Sequence, residues 1–153
     1  MAKNTSNTSY RKLDVDAFDP EKYDENDEFL ENGSAMGPDE KLVQQLLSSG
    51  KNTEALKAAL SNAPLNVKDM SITERAVKTV VKALTNHRNA EIGDSITELS
   101  DDEIDILMKY IYKGMEIMPD GSVCNSLLSW HSHAFNRCGY GGIMRVLSDR
   151  TRL

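Results

Sequence analysis

The chain has 153 residues, a length that usually makes one domain, with 39% hydrophobic and 27% charged residues. Its formal net charge of -6 removes any electrostatic case for the whole chain binding DNA or RNA. Two cysteines are too few for a disulfide framework, no apolar run nears the roughly 20 residues of a membrane span, and the polar start Met-Ala-Lys-Asn-Thr-Ser lacks a signal peptide's apolar run, so the cytosol is the expected address.

The charge is unevenly placed. Residues 1–40 hold eleven carboxylates against four basic side chains, a net of -7, which leaves about +1 for the rest. Residues 1–36 show no sustained helical or strand period. Acidic and poor in aliphatics, this arm is expected to be extended, and disordered when free. Tyr10, Leu13, Val15, Phe18, Tyr23, Phe29 and Leu30 nevertheless stand between its carboxylates. A purely solvating tail has little use for aromatics, so the pattern points to a segment that orders on a partner. Ordering costs about 1–2 kcal/mol of backbone entropy per residue, so several anchors are needed. The division is therefore an arm over 1–36 and a body over 37–153.

The body reads as helical throughout. Gly37-Pro38 opens it, with Pro38 suited to a first helical turn. Leu42, Val43, Leu46 and Leu47 form one face, and Gly50 is a C-terminal stop. A second helix spans about 53–61, capped by Asn52, with Leu56, Ala59 and Leu60 inward. The short connection makes the pair an antiparallel hairpin. After Pro64, Ser71-Ile-Thr-Glu74 reads as a capping box for a third helix striped by Val77, Val80, Val81 and Leu84. A short helix near 90–98 carries Ile92 and Ile96, followed by Leu99. Ser100-Asp-Asp-Glu103 is a second capping box, starting a helix with Ile104, Leu107, Met108, Ile111 and Met115 on one stripe. Ile106 and Tyr110 widen that stripe, so this helix is expected to be central and enclosed. A sixth helix runs from about 123 to 137 with Leu127, Leu128, Trp130, Ala134 and Phe135. Gly139-Tyr-Gly-Gly142 interrupts as a helix cap and tight turn, and a last helix carries Ile143, Met144, Val146 and Leu147. The expected fold is all-α: a compact array of about six to seven short antiparallel helices with an extended N-terminal arm.

Chemical motifs are weak. Cys124, His131 and Cys138 recur every seven residues, which puts them on one helix face about 10.5 Å apart along the axis. Zinc needs its ligands at roughly 2.0–2.3 Å, and His133 points away from His131, so no metal site is expected. Nothing marks a low-pKa thiolate for a Cys–His hydrolase. The glycine cluster follows a helix, unlike a dinucleotide fingerprint or P-loop. Asp14-Val-Asp16 begins like a calcium loop, but Asp19 occupies the glycine position. Lys109, Tyr110, Tyr112 and Lys113 read as core tyrosines with lysines reaching outward. Arg145, Arg150 and Arg152 make the C-terminal end mildly basic. No cofactor and no enzymatic activity are expected.

Several runs resemble the 16-kilodalton subunit, subunit 5, of the actin-related protein 2/3 complex. They are Arg11-Lys-Leu-Asp-Val-Asp-Ala-Phe-Asp19, Gly37-Pro-Asp-Glu40, Ile106-Leu-Met-Lys-Tyr-Ile-Tyr-Lys-Gly-Met-Glu116, Leu127-Leu-Ser-Trp-His131 and Gly142-Ile-Met-Arg-Val-Leu-Ser148. Their order is the family's, and the likeness spans nearly the whole chain from about residue 10. Residues 24–36 and 65–75, with His133 and Cys138, depart from the pattern. The resemblance implies a non-catalytic scaffold subunit of an assembly that nucleates branched actin filaments. Its body would dock on subunit 4 and near the β-propeller subunit 1. Its arm would tether actin-related protein 2, and filaments would be reached indirectly. By position, the implied arm contacts are Arg11, Asp14, Asp16, Phe18, Asp19 and Tyr23. The weaker implied body contacts are Tyr110, Tyr112, Trp130, His131 and Arg145, for each of which burial in the chain's own core is an equal alternative. A free-standing helical adaptor with an acidic arm is the competing reading.

Overall fold

A computed structural model describes residues 37–67 and 69–153. The arm expected over 1–36 lies outside the described residues.

The first helix, α1, spans Glu40–Ser48. The Asp39 carboxylate accepts the backbone N–H of Lys41 at 3.0 Å and of Leu42 at 3.4 Å, supplying orphan donors of the first turn with a partner. Pro38 therefore stands before the cap rather than inside the first turn. At the other end Gly50 takes φ +75°, and the N–H groups of Gly50 and Lys51 bond back to the carbonyls of Leu47 and Leu46. That is a Schellman ending, which needs the left-handed conformation that glycine adopts at little cost.

Helix α2, Asn52–Leu60, starts directly after Lys51 and buries Ala55, Leu56, Ala59 and Leu60. Asn52 does not cap it, since Lys51 holds the cap position without a side-chain bond. The Asn52 side chain instead accepts from Asn86 Nδ2 at 3.1 Å, tying α2 to the end of the next helix. That helix, α3, is Met70–Thr85. It begins at Asp69, whose carboxylate accepts from Ser71 N–H at 3.0 Å, so the Ser71–Glu74 pair lies inside the helix and is not its capping box. A carboxylate two residues earlier satisfies the same orphan N–H groups, and it wins the boundary.

A 3-10 turn, Asn89–Glu91, leads into α4, Ile92–Thr97. Helix α5, Asp101–Ile117, begins with a complete capping box: Ser100 N–H donates to Glu103 Oε2 at 2.7 Å, and Glu103 N–H to Ser100 Oγ at 3.2 Å. Helix α6 runs Gly121–Ser148 and is broken at Gly139, the one residue in it with non-helical φ and ψ. The described residues thus hold six helical elements and no strand, the all-α body read from sequence, and the sixth is parted into two helical halves at Gly139, within the glycine run expected to interrupt it.

Helix α3 packs against α1, α2, α5 and α6, and α5 against α2, α3 and α6. The two share the centre that the sequence assigns to α5 alone. Val77, Val80, Val81 and Leu84 of α3 meet Ile104, Leu107, Met108 and Ile111 of α5 in one buried cluster. Gly114 marks a close approach of the helices: a Cβ there would lie 3.0 Å from Val81 Cγ2 and 3.2 Å from Leu127 Cδ1. Trp130 is fully buried, and its indole N–H donates 3.0 Å to the carbonyl of Leu84. The buried indole N–H thus finds a partner at the end of α3, on a carbonyl that also accepts from His87 N–H at 3.3 Å.

The segment after α6 is fastened back onto the body. Lys109 does not reach outward, as the sequence suggests. Its ammonium, on a residue only 9% exposed, donates to Asp149 Oδ2 at 2.6 Å, the Thr151 carbonyl at 2.7 Å and Thr151 Oγ1 at 2.9 Å. Three acceptors match the three donors of an ammonium, which is the condition for burying one. Asn66 N–H donates to the Arg152 carbonyl, and Arg152 N–H returns a bond to Asn66 Oδ1.

Candidate interaction surface

The outer side of α6 is built from an i, i+4 aromatic pair and its neighbours. His131 Nε2 shares a 2.9 Å hydrogen bond with the Tyr112 hydroxyl of α5, and the two rings meet edge to face at 5.5 Å. Phe135 lies parallel to His131 at 6.3 Å, and Tyr140 stands edge-on to Phe135 at 5.2 Å. A ladder of rings therefore climbs from α5 along α6 to the break. Partial burial pushes the Tyr112 phenol pKa up, with the Cys138 thiol adding to the effect.

Gly139 sits at φ +59°, ψ -158°, a region where L side chains are strained. Beyond it Tyr140, Met144 and Leu147 follow at i, i+4 and i+7 and are 79%, 61% and 67% exposed. That spacing makes one stripe. Flanking that stripe, Ile143 and Val146 pack against the core. Arg145 clamps this half of α6 to α5 by donating to both carboxylate oxygens of Asp105, at 2.6 and 2.9 Å. The same bonds hold the guanidinium pKa above its ordinary value. Before the break, Arg137 donates to the Ile96 carbonyl and, at 3.1 Å, to Asp101, fixing α6 across the end of α4.

The five body positions singled out from sequence separate cleanly. Tyr110 and Trp130 have no exposed surface and belong to the chain's own core. Burial drives the Tyr110 phenol well above its ordinary pKa, and its hydroxyl has no hydrogen-bond partner among the described residues. Tyr112, His131 and Arg145 reach the surface. The first two are joined to one another, while Arg145 is bound to Asp105. The six arm positions, Arg11, Asp14, Asp16, Phe18, Asp19 and Tyr23, lie outside the described residues.

Met144 and Leu147 are the surface residues that sequence reading passes over, because it groups them with Ile143 and Val146 as one apolar set. Ile143 lies three residues from Tyr140 and four from Leu147, so the helical period alone does not part the exposed side chains from the packed ones.

Reactive groups are scattered. His133 Nδ1 donates to the Ser129 carbonyl at 2.9 Å, and neither cysteine thiol is hydrogen-bonded to a histidine among the described residues. No group of three or more His, Cys, Asp or Glu side chains is placed to hold a metal ion among those residues. No described helix is long and apolar enough to cross a membrane.

A closed helical core with an apolar, aromatic outer stripe defines a small all-helical body. The chain belongs to the family described as ARP2/3 complex 16 kDa subunit (p16-Arc), which it matches over residues 9–153. It is 42% identical over 151 residues to the actin-related protein 2/3 complex subunit 5-like protein of Bos taurus, covering 98% of each chain. It is 40% identical over 150 residues to the Xenopus laevis actin-related protein 2/3 complex subunit 5-B, again 98% of each. With the probable actin-related protein 2/3 complex subunit 5 of Caenorhabditis elegans it shares 39% identity over 147 residues, 96% of this chain and 99% of the relative.

Proposed function

We propose that this chain is a non-catalytic structural subunit of the actin-related protein 2/3 complex, supporting nucleation of branched actin filaments at the cytoplasmic actin cytoskeleton. The observation that carries the reading is the family match over residues 9–153, which takes in most of the acidic arm as well as the body. In this reading the body docks on subunit 4 and near the β-propeller subunit 1. Tyr112, His131 and Arg145 contribute contacts, extended by Tyr140, Met144 and Leu147, whose exposure supports a docking role. The arm runs onto actin-related protein 2 and tethers it, so that filaments are met indirectly. Phe18 and Tyr23 act as anchors, while Arg11, Asp14, Asp16 and Asp19 pair with charged groups and speed encounter more than they set affinity.

The test is recovery from actin-rich cytosol of proteins bound to the full chain and to a chain lacking residues 1–36, identified by mass spectrometry. Both forms are expected to bring down the other subunits, with actin-related protein 2 depleted from the truncated form. Equal recovery of actin-related protein 2 would remove the tether. Recovery of none of the subunits would leave the free-standing adaptor.

A further inference from the structure

Several cations of the body are paired close to home. Lys51, Lys57, Lys109, Lys113, Arg137 and Arg145 each meet a carboxylate within 3.2 Å. The outer face of α3 departs from this. Arg75, Lys78 and Lys82 follow at spacings of three and four, so they share one side of the helix, and all three are exposed. Lys78 reaches Glu74 only at 3.8 Å, with both side chains well exposed, a contact of little energetic weight. Arg75 and Lys82 have no ion pair among the described residues, although Arg75 lies near enough to Asp69 to help lower its carboxyl pKa. Three like charges on one face repel one another, and a bound anion relieves that repulsion.

This face borders a groove of about 160 Å³ between α1 and α3. Val43 and Leu47 give it an apolar wall, and Glu40 is the single acidic residue lining it. Small-molecule sites usually measure about 300–1,000 Å³, so this one suits a side chain or two rather than a metabolite. An apolar slot rimmed by cations has the form of a peptide site: one anchor to fill the slot, carboxylates to meet the rim. Nucleic acid fits poorly, because the chain carries -6 overall and this face offers only three cations. A lipid surface would use the charges but not the slot.

We propose that the α1–α3 groove is a docking site for an acidic segment of a protein partner, which seats an apolar side chain against Val43 and Leu47 and its carboxylates on Arg75, Lys78 and Lys82. This goes beyond the subunit reading and does not depend on the arm.

The experiment uses the full chain and a fluorescein-labelled peptide of alternating Glu and Asp with two central leucines, followed by anisotropy. A second peptide replaces the leucines with serines. Lys78→Glu with Lys82→Glu reverses the groove. Arg88→Glu with Arg150→Glu makes the same change in net charge elsewhere. The leucine peptide is expected to bind, to lose affinity about tenfold or more on groove reversal, and to be little affected by the control reversal. The serine peptide is expected to bind more weakly than the leucine peptide. Hydrogen exchange on the unmodified chain should slow over 40–47 and 75–82 when the leucine peptide is present. Absence of binding, equal losses in the two reversal variants, equal affinity for the two peptides, or protection elsewhere would each overturn the proposal. So would displacement of the peptide by phosphatidylserine vesicles but not by phosphatidylcholine vesicles, which would assign the face to a membrane.

Discussion

The two halves of α6, parted at Gly139, differ sharply. Before Gly139, Leu127, Trp130 and Ala134 are fully buried. After it, Tyr140, Met144 and Leu147 are mostly exposed while Ile143 and Val146 still touch the core. The first half is held by burial and by the Trp130–Leu84 bond, the second by Arg145 on Asp105 and by the Lys109 anchor on the segment that follows. Apolar content alone does not say what a helix is for. A single residue with a different backbone separates a half that serves the core from one that faces outward.

The largest test of this contrast is Trp130→Ala. It removes a fully buried ring and the donor on the Leu84 carbonyl, and should cost about 3–5 kcal/mol in urea unfolding followed by circular dichroism. A small loss would mean that the first half is not a core element. Next is Gly139→Ala. A Cβ there meets nothing within 4 Å, so the loss is purely conformational, about 1–3 kcal/mol. The variant should also redirect the second half, seen as altered exchange over 140–148.

A weaker effect concerns the segment that ends the second half. Hydrogen bonding to Lys109 and Thr151 holds the Asp149 carboxyl well below the ordinary value of 3.8. A depressed folded-state pKa means the contribution is intact above the unfolded value and is lost as pH falls through the folded one. Exchange over 149–153 should therefore quicken in strong acid in the native chain, and Asp149→Asn should remove that pH dependence. The smallest effect on stability belongs to Met144→Ser with Leu147→Ser, within about 0.5 kcal/mol each. The same pair should markedly reduce recovery of complex subunits. A large fall in stability instead would place these side chains in the fold rather than at a partner.

What was legible in the sequence follows from the range of the forces involved. Ser100 and Glu103 bond only to each other's backbone, so four residues suffice to read the start of α5. Gly50 likewise announces a local ending. Ser71 and Glu74 mislead because Asp69, two residues earlier, competes for the same donors, and Asn52 because its partner Asn86 lies 34 residues away. Lys109 was unreadable for the same reason, its acceptors standing 40 and more residues downstream. At the surface, Tyr112, His131 and Arg145 could be nominated by family likeness but not separated from Tyr110 and Trp130. Exposure is decided by neighbours that no local window contains. The arm positions rest on likeness and composition alone.

Trp130 is the chain's only tryptophan, and it stands edge-on to His87 at 5.0 Å with no surface exposed to water. Its fluorescence is therefore a built-in gauge of a single event, the opening of the core. Partners that settle on the outer stripe leave the indole untouched, so its emission should stay silent through assembly and change only on unfolding. Stability and association can then be followed in the same cuvette, one by intrinsic light and the other by an added label.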